Sequence, residues 1–135
     1  MSEFELAQAD ALLRAAEAVA EEISVSMSFA AVDSGGHLLC FRRMDGAPWI
    51  GADVAIGKAY TAAAYGVPTS EKAQRARELI HFTNAVIAMT AGRYVPQDGG
   101  LPVLRNGVVI GGLGASGGTG SQDEHTLRTA LERQG

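Results

Sequence analysis

The sequence predicts an α+β fold, a single domain whose central antiparallel sheet is built from two hairpins with helices packed on it. Three observations predict it. Two pairs of strand-like runs each flank a turn signal, Asp33-Ser-Gly-Gly36 in the first pair and Asn106-Gly107 in the second. Runs with apolar residues three and four apart begin and end the chain. Between the hairpins, residues 49–65 are dense in alanine and glycine, which suits a helix lying close against a sheet or another helix.

Each element follows in order. Leu6, Ala9, Leu13, Ala16 and Val19 recur at helical spacing, so the first helix runs to about Glu22; Ser2 and Glu5 have capping-box spacing ahead of it. Its outer face carries Gln8, Asp10, Arg14, Glu17 and Glu21. From Ser24 the period becomes two, with Val25, Met27, Phe29 and Ala31 on one face and Ser26 and Ser28 on the other. The chain returns from the turn as a strand over Leu38 to Met44. With Ser34 and Gly35 as the loop, Val32 lies opposite His37 and Ala30 opposite Leu39, and a one-residue slip would move His37 to the other row.

Met44-Asp-Gly-Ala-Pro48 ends that strand, and Trp49 to Tyr65 reads as the small-residue helix, stopped by Gly66 and Pro68. Thr69 or Ser70 caps the next helix, which turns Ala73, Ala76 and Leu79 inward behind a charged face. Phe82 to Met89 is apolar and too short to choose between helix and strand. Residues 93–100 form a loop, Leu101 to Arg105 and Val108 to Ala115 the second hairpin. Ser121 and Glu124 repeat the capping-box spacing before a last helix filled by Leu127, Ala130 and Leu131.

At 135 residues, without an internal repeat, the chain is sized for one core. A net charge of -4 and the lack of any Lys or Arg run argue against nucleic acid as the main partner, leaving a small-molecule ligand or another protein. The first six residues are acidic where a secretory signal is basic, and no apolar run approaches the roughly 20 residues of a membrane span. The expectation is a cytoplasmic protein without membrane association. Cys40, the only cysteine, reads as an inert thiol, and His37, His81 and His125 lack metal-site spacing.

The residues that can carry chemistry are few. Lys58 falls inside the small-residue helix, where a cation must pair, reach solvent or contact a ligand. His37 stands at the mouth of a Gly-Gly turn, where a neutral imidazole can act as acid, base or axial ligand to iron. Arg42, Arg43 and Asp45 cluster at a strand end, and an arginine fork is a carboxylate clamp. Ser116, Gly117, Gly118 and Thr119 lead into a helix N-terminus, a surface of backbone donors suited to an anion. Tyr60 sits beside Lys58 in sequence and completes the candidate ligand-binding set.

Several phrases taken together resemble the GlcG/HbpS-like family: Val32-Asp-Ser-Gly-Gly-His-Leu38, Arg43-Met-Asp-Gly-Ala-Pro48, Ile56-Gly-Lys-Ala-Tyr-Thr-Ala62, Gly99-Gly-Leu-Pro102, and Gly112-Leu-Gly-Ala-Ser-Gly-Gly-Thr119 with Gln122-Asp123. The resemblance spans nearly the whole chain. It implies an α+β fold like the C-terminal domain of PduO-type cobalamin enzymes, homo-oligomeric assembly, and haem or another tetrapyrrole as ligand in some members. Other members look like small enzymes or accessory proteins of catabolic pathways, so fold is better specified than function.

Three functional expectations follow. The first is a cofactor-independent enzyme on a small carboxylated metabolite: Arg43 or the Gly117 and Gly118 amides hold the carboxylate, and Lys58, His37 or Asp45 moves a proton in tautomerisation, dehalogenation or decarboxylation. The second is a haem-binding or haem-degrading protein with His37 or a tyrosine on iron. The third is a non-catalytic oligomer whose Gly/Ala-rich helix is the interface.

Overall fold

The computed structural model describes residues 4–134. In chain order they form α1 (Leu6–Glu22), β1 (Ser28–Asp33), β2 (Leu38–Arg43), α2 (Gly51–Tyr65), α3 (Thr69–Glu78), α4 (Ile80–Met89), β3 (Gly100–Arg105), β4 (Val108–Ser116) and α5 (Gly120–Gln134). The two hairpins meet through β1 and β4, which gives one antiparallel sheet of order β2-β1-β4-β3. The expected α+β single sheet is therefore the observed one.

Alternation along β1 assigns the two faces. Met27, Phe29 and Ala31 join Leu13, Ala16, Leu101, Leu113, Leu127 and Ala130 in a core under α1 and α5, whereas Ala30 and Val32 pack with Ala55, Ala59 and Ala63 of α2. Fully burying side chains as large as Phe29, Leu13 and Leu127 stabilises the first core by about 1.5–3 kcal/mol each. The second core is thin because β4 offers α2 no side chain at two places. A Cβ on Gly112 or Gly114 would collide with the carbonyls of Ala59 and Ala55, so the helix backbone rests directly on the strand.

The first hairpin corrects the expected register. Val32 pairs with Leu38, Ala31 with Cys40 and Ala30 with Phe41, with a bulge between Ala31 and Val32, so neither Val32–His37 nor Ala30–Leu39 is opposed. The cause is a three-residue loop in which Gly36 takes φ +83°, its N–H donates to the Asp33 carbonyl, and the Asp33 N–H donates to the His37 carbonyl. The Asp33 carboxylate accepts from the Gly35 and His37 amides at 2.9 Å each, which fixes this longer turn.

Other boundaries shifted for local reasons. Ser24 has φ +59° and Val25 donates back to the Ala20 carbonyl, so this stretch closes α1 and the strand begins only at Ser28. Ser2 lies outside the described residues; α1 starts after Glu5, whose amide donates to Gln8. Thr69 caps no helix: it is buried, and its hydroxyl accepts from the Gly100 amide at 2.8 Å. The last helix is capped by Thr119 and Gln122, not by Ser121 and Glu124: the Gln122 amide donates to Thr119 Oγ1 and the Thr119 amide to Gln122 Oε1. Residues 80–89 are helical, and of the α3 residues expected inward only Ala73 is buried, while Leu79 is exposed.

Candidate functional site

Lys58 shows why an apolar helix carries a cation. Lys58 is 5% exposed, and its ammonium donates to Asp123 Oδ2 at 3.1 Å and to the Ala115 carbonyl at 2.9 Å. Asp123 is equally buried, and its second oxygen accepts from the Gly118 amide at 2.9 Å. Burial pushes the Asp123 carboxyl above the usual carboxylate range, opposed by the Lys58 charge and the Gly118 hydrogen bond. This pair joins α2 to the start of α5 across the end of β4. Gly99, at φ +116°, packs over it, since a Cβ there would stand 2.9 Å from the ammonium and 2.8 Å from Asp123 Cβ.

The glycine-rich exit of β4 is therefore already engaged. Gly118 donates to Asp123 and Thr119 to Gln122, so the expected ligand-facing amides at these two positions are bonded within the chain. Gly117, at φ +125°, lies against Ser26 and Met27. Asp123 and Gln122 of the following helix satisfy this turn internally, an effect its glycine content does not reveal.

His37 is elsewhere, on the turn between β1 and β2. Its side chain is 82% exposed and its Nδ1 lies 3.2 Å from Asp33 Oδ1. Burial tends to raise the Asp33 carboxyl, yet the His37 and Gly35 amides and the His37 ring outweigh it and hold the group below its usual range. Gly36 rests on the Tyr60 ring, where a Cβ would come within 2.9 Å. The Arg93 guanidinium stands 5.5 Å from the centroid of that ring. The turn thus presents an imidazole backed by a carboxylate beside a half-buried aromatic face and a cation.

A third place lies under the start of α2. Ser28 is the register partner of Arg43 on one side and of Ser116 on the other. Both hydroxyls face Gly51, 3.4 and 3.5 Å from where its Cβ would be. Ser28 is fully buried and its hydroxyl has no partner, a state that costs about 1–3 kcal/mol. Arg42, by contrast, points to the opposite face and pairs with Glu17 at 3.0 Å.

The predicted residues therefore separate into three groups. Lys58 is enclosed with Asp123, His37 on the hairpin turn lies near Tyr60 of α2, and Arg43 and Ser116 flank Ser28, with Asp45 exposed in the loop beyond β2. Sequence reasoning assigned no role to Asp123 beyond starting a helix, to Ser28 beyond a polar strand face, or to Arg93 beyond a loop. The signal for Asp123 was Lys58 itself, since a buried ammonium demands an anion. Among the described residues no group of three or more His, Cys, Asp or Glu can hold a metal ion, and no helix is long and apolar enough to cross a membrane.

With this geometry in place, comparison with known proteins assigns the family. Residues 4–132 match the model of the family described as haem degrading protein HbpS-like, and the chain belongs to that family. An uncharacterised 15.0 kDa protein of the dhaT-dhaS intergenic region of Citrobacter freundii is 39% identical over 127 residues, which is 94% of this chain and 89% of that protein. The crystal structure of a double mutant of Streptomyces reticuli HbpS superposes with a TM-score of 0.87 at 32% identity, covering 100% of this chain and 89% of that one. The crystal structure of a PduOC:haem complex has a TM-score of 0.81 at 30% identity, covering 91% of this chain and 88% of that one.

Proposed function

We propose that this member of the HbpS-like family binds haem or a related tetrapyrrole, with His37 as the axial ligand to iron. The observation that carries the reading is the likeness over 91% of the chain to a protein solved as a haem complex. The donor set at the hairpin turn fits such a group. His37 is exposed, and a carboxylate at Nδ1 selects the tautomer with Nε2 unprotonated and open to a ligand. Tyr60 and Arg93 supply an aromatic face and a cation beside it. Bound haem would contribute an iron centre whose reactivity depends on its axial ligand and the polarity around it.

Titration of the purified chain with haemin tests this. The Soret band should shift to saturation, and His37→Ala should weaken binding about tenfold or more and change the ferric spectrum. A wild-type spectrum equal to that of haemin with a non-binding protein removes the haem reading; unchanged binding in His37→Ala removes the ligand assignment.

The cofactor-independent enzyme has less support. Its expected base, Lys58, is enclosed with Asp123 and Ala115, and His37 and Asp45 are too exposed to sit in a water-excluding site.

Homo-oligomeric assembly completes the proposal, with an interface different from the one expected. The Gly/Ala face of α2 is consumed against β4. Among the large apolar side chains left uncovered, Leu79, Ile80, Phe82 and Met89 gather on the α3–α4 arm, which suits contact with a second copy.

A further inference from the structure

The end of the sheet beneath α2 carries features that the haem reading does not use. Arg43, Ser28 and Ser116 stand in one cross-strand row, and directly opposed residues of antiparallel strands share a face with Cβ atoms about 4.5–5.5 Å apart. The contacts of Ser28 and Ser116 with Gly51 identify that face as the one beneath α2. Across the sheet the row runs guanidinium, hydroxyl, hydroxyl, with the buried Ser28 in the middle. It lies at the positive end of a 15-residue helix.

Two observations make this more than a helix terminus. Ser28 is fully buried with its hydroxyl unpartnered and turned toward the first residue of α2, whereas buried hydroxyls are normally hydrogen-bonded. Position 51 is glycine, so no side chain stands between the two hydroxyls and the helix start. Arg43 is exposed, and among the described residues it is paired with neither Asp45 nor Asp53, the nearest acidic residues in sequence on β2's exit and on α2. A cation, two hydroxyl donors and a helix N-terminus together lack one thing, an anionic acceptor.

We infer that Arg43, Ser28, Ser116 and the start of α2 form a carboxylate-binding site. The guanidinium pairs with the anion, and the hydroxyls donate to its oxygens. Ser116, which flanks Ser28 in the row, is only half-buried, so the row meets solvent there as well as at Arg43. The inference stands on this geometry and does not depend on haem.

Acetate titrated into isotope-labelled protein is the direct probe. The amide signals of Ser28, Gly51 and Ser116 should move together to saturation, and Arg43→Ala should weaken that response about tenfold or more, as loss of a charge-assisted bond predicts. Ser28→Ala removes a hydroxyl that has no partner in the protein, so it should fold with an unchanged or higher thermal midpoint and bind acetate more weakly. Scattered or unsaturable shifts, or wild-type acetate affinity in both variants, overturn the site.

Haemin and its dimethyl ester distinguish the source of the carboxylate. If the ester binds about tenfold more weakly to the wild type, and Arg43→Ala no longer distinguishes the two, the ligand is a tetrapyrrole propionate. If haemin and ester bind alike, or neither binds, while acetate still saturates, the ligand is a free acid.

Discussion

Helices α2 and α4 are both largely apolar, yet eight of the fifteen residues of α2 are buried and in α4 only Thr83 is. The difference is one of facing surfaces. Small residues of α2 at 51, 55, 59, 62 and 63 fall on one side and meet β4 where Gly112 and Gly114 leave the strand bare. Bulky residues of α4 at 80, 82 and 89 find no such surface, and α4 packs against no element but α3. Apolar composition alone does not bury a helix; it needs a partner face of matching shape.

Removing the polar anchor of α2 should strain that contrast most. Lys58→Met leaves Asp123 buried without its cation, which should lower unfolding stability in urea by about 3–5 kcal/mol at neutral pH. The pH dependence supplies a second readout. Burial raises the folded-state pKa of Asp123 above its unfolded value, and loss of Lys58 raises it further. Between the two values the folded state holds more protons, so the variant should regain stability as pH falls through the folded pKa toward the ordinary carboxylate range. A variant as stable as the wild type at neutral pH would mean that the pair does not anchor α2.

Filling the bare strand should have the next largest effect. Gly114→Ala places a methyl group against the Ala55 carbonyl, backbone against backbone, so α2 must lift from the sheet at a cost of about 1–3 kcal/mol or more. Gly107→Ala is the control. A side chain there meets open space, and the left-handed φ of +78° alone should cost about 1–2 kcal/mol. A loss at Gly114 no larger than that at Gly107 would show that α2 yields to the added methyl group and that this contact does not limit β4.

The fold was legible because its signals are local. Period two around two turns, period three to four at the ends and the alanine-glycine helix all survive in the structure, and the phrases around His37, Lys58 and Gly112 carried the family. What failed depended on which bonds particular side chains make, some within their own turn and some with neighbours far away in sequence. Asp33 bonds two amides of its own turn and lengthens it, which moved the register of β1 and β2. Thr119 displaced Ser121 as the cap because its hydroxyl and Gln122 exchange bonds. Asp123 was recognisable as a helix-start acid but not as the partner of a lysine 65 residues earlier, and Ser28 became interior only once β1 lay between two strands.

The α3–α4 arm offers the smallest effect on folding and the clearest one on assembly. Phe82 is 61% exposed, so Phe82→Asp removes little buried area and should change the stability of dilute, monomeric chain by no more than about 0.5 kcal/mol. If the arm is where copies meet, wild-type stability should rise with protein concentration, because an associating native state gains by mass action. The variant should lose that dependence and sediment as a smaller species. The same sedimentation profile in both chains would leave α4 exposed in the assembly as well and turn the search for the contact to other uncovered apolar side chains, Trp49 and Ile50 at the start of α2 first among them.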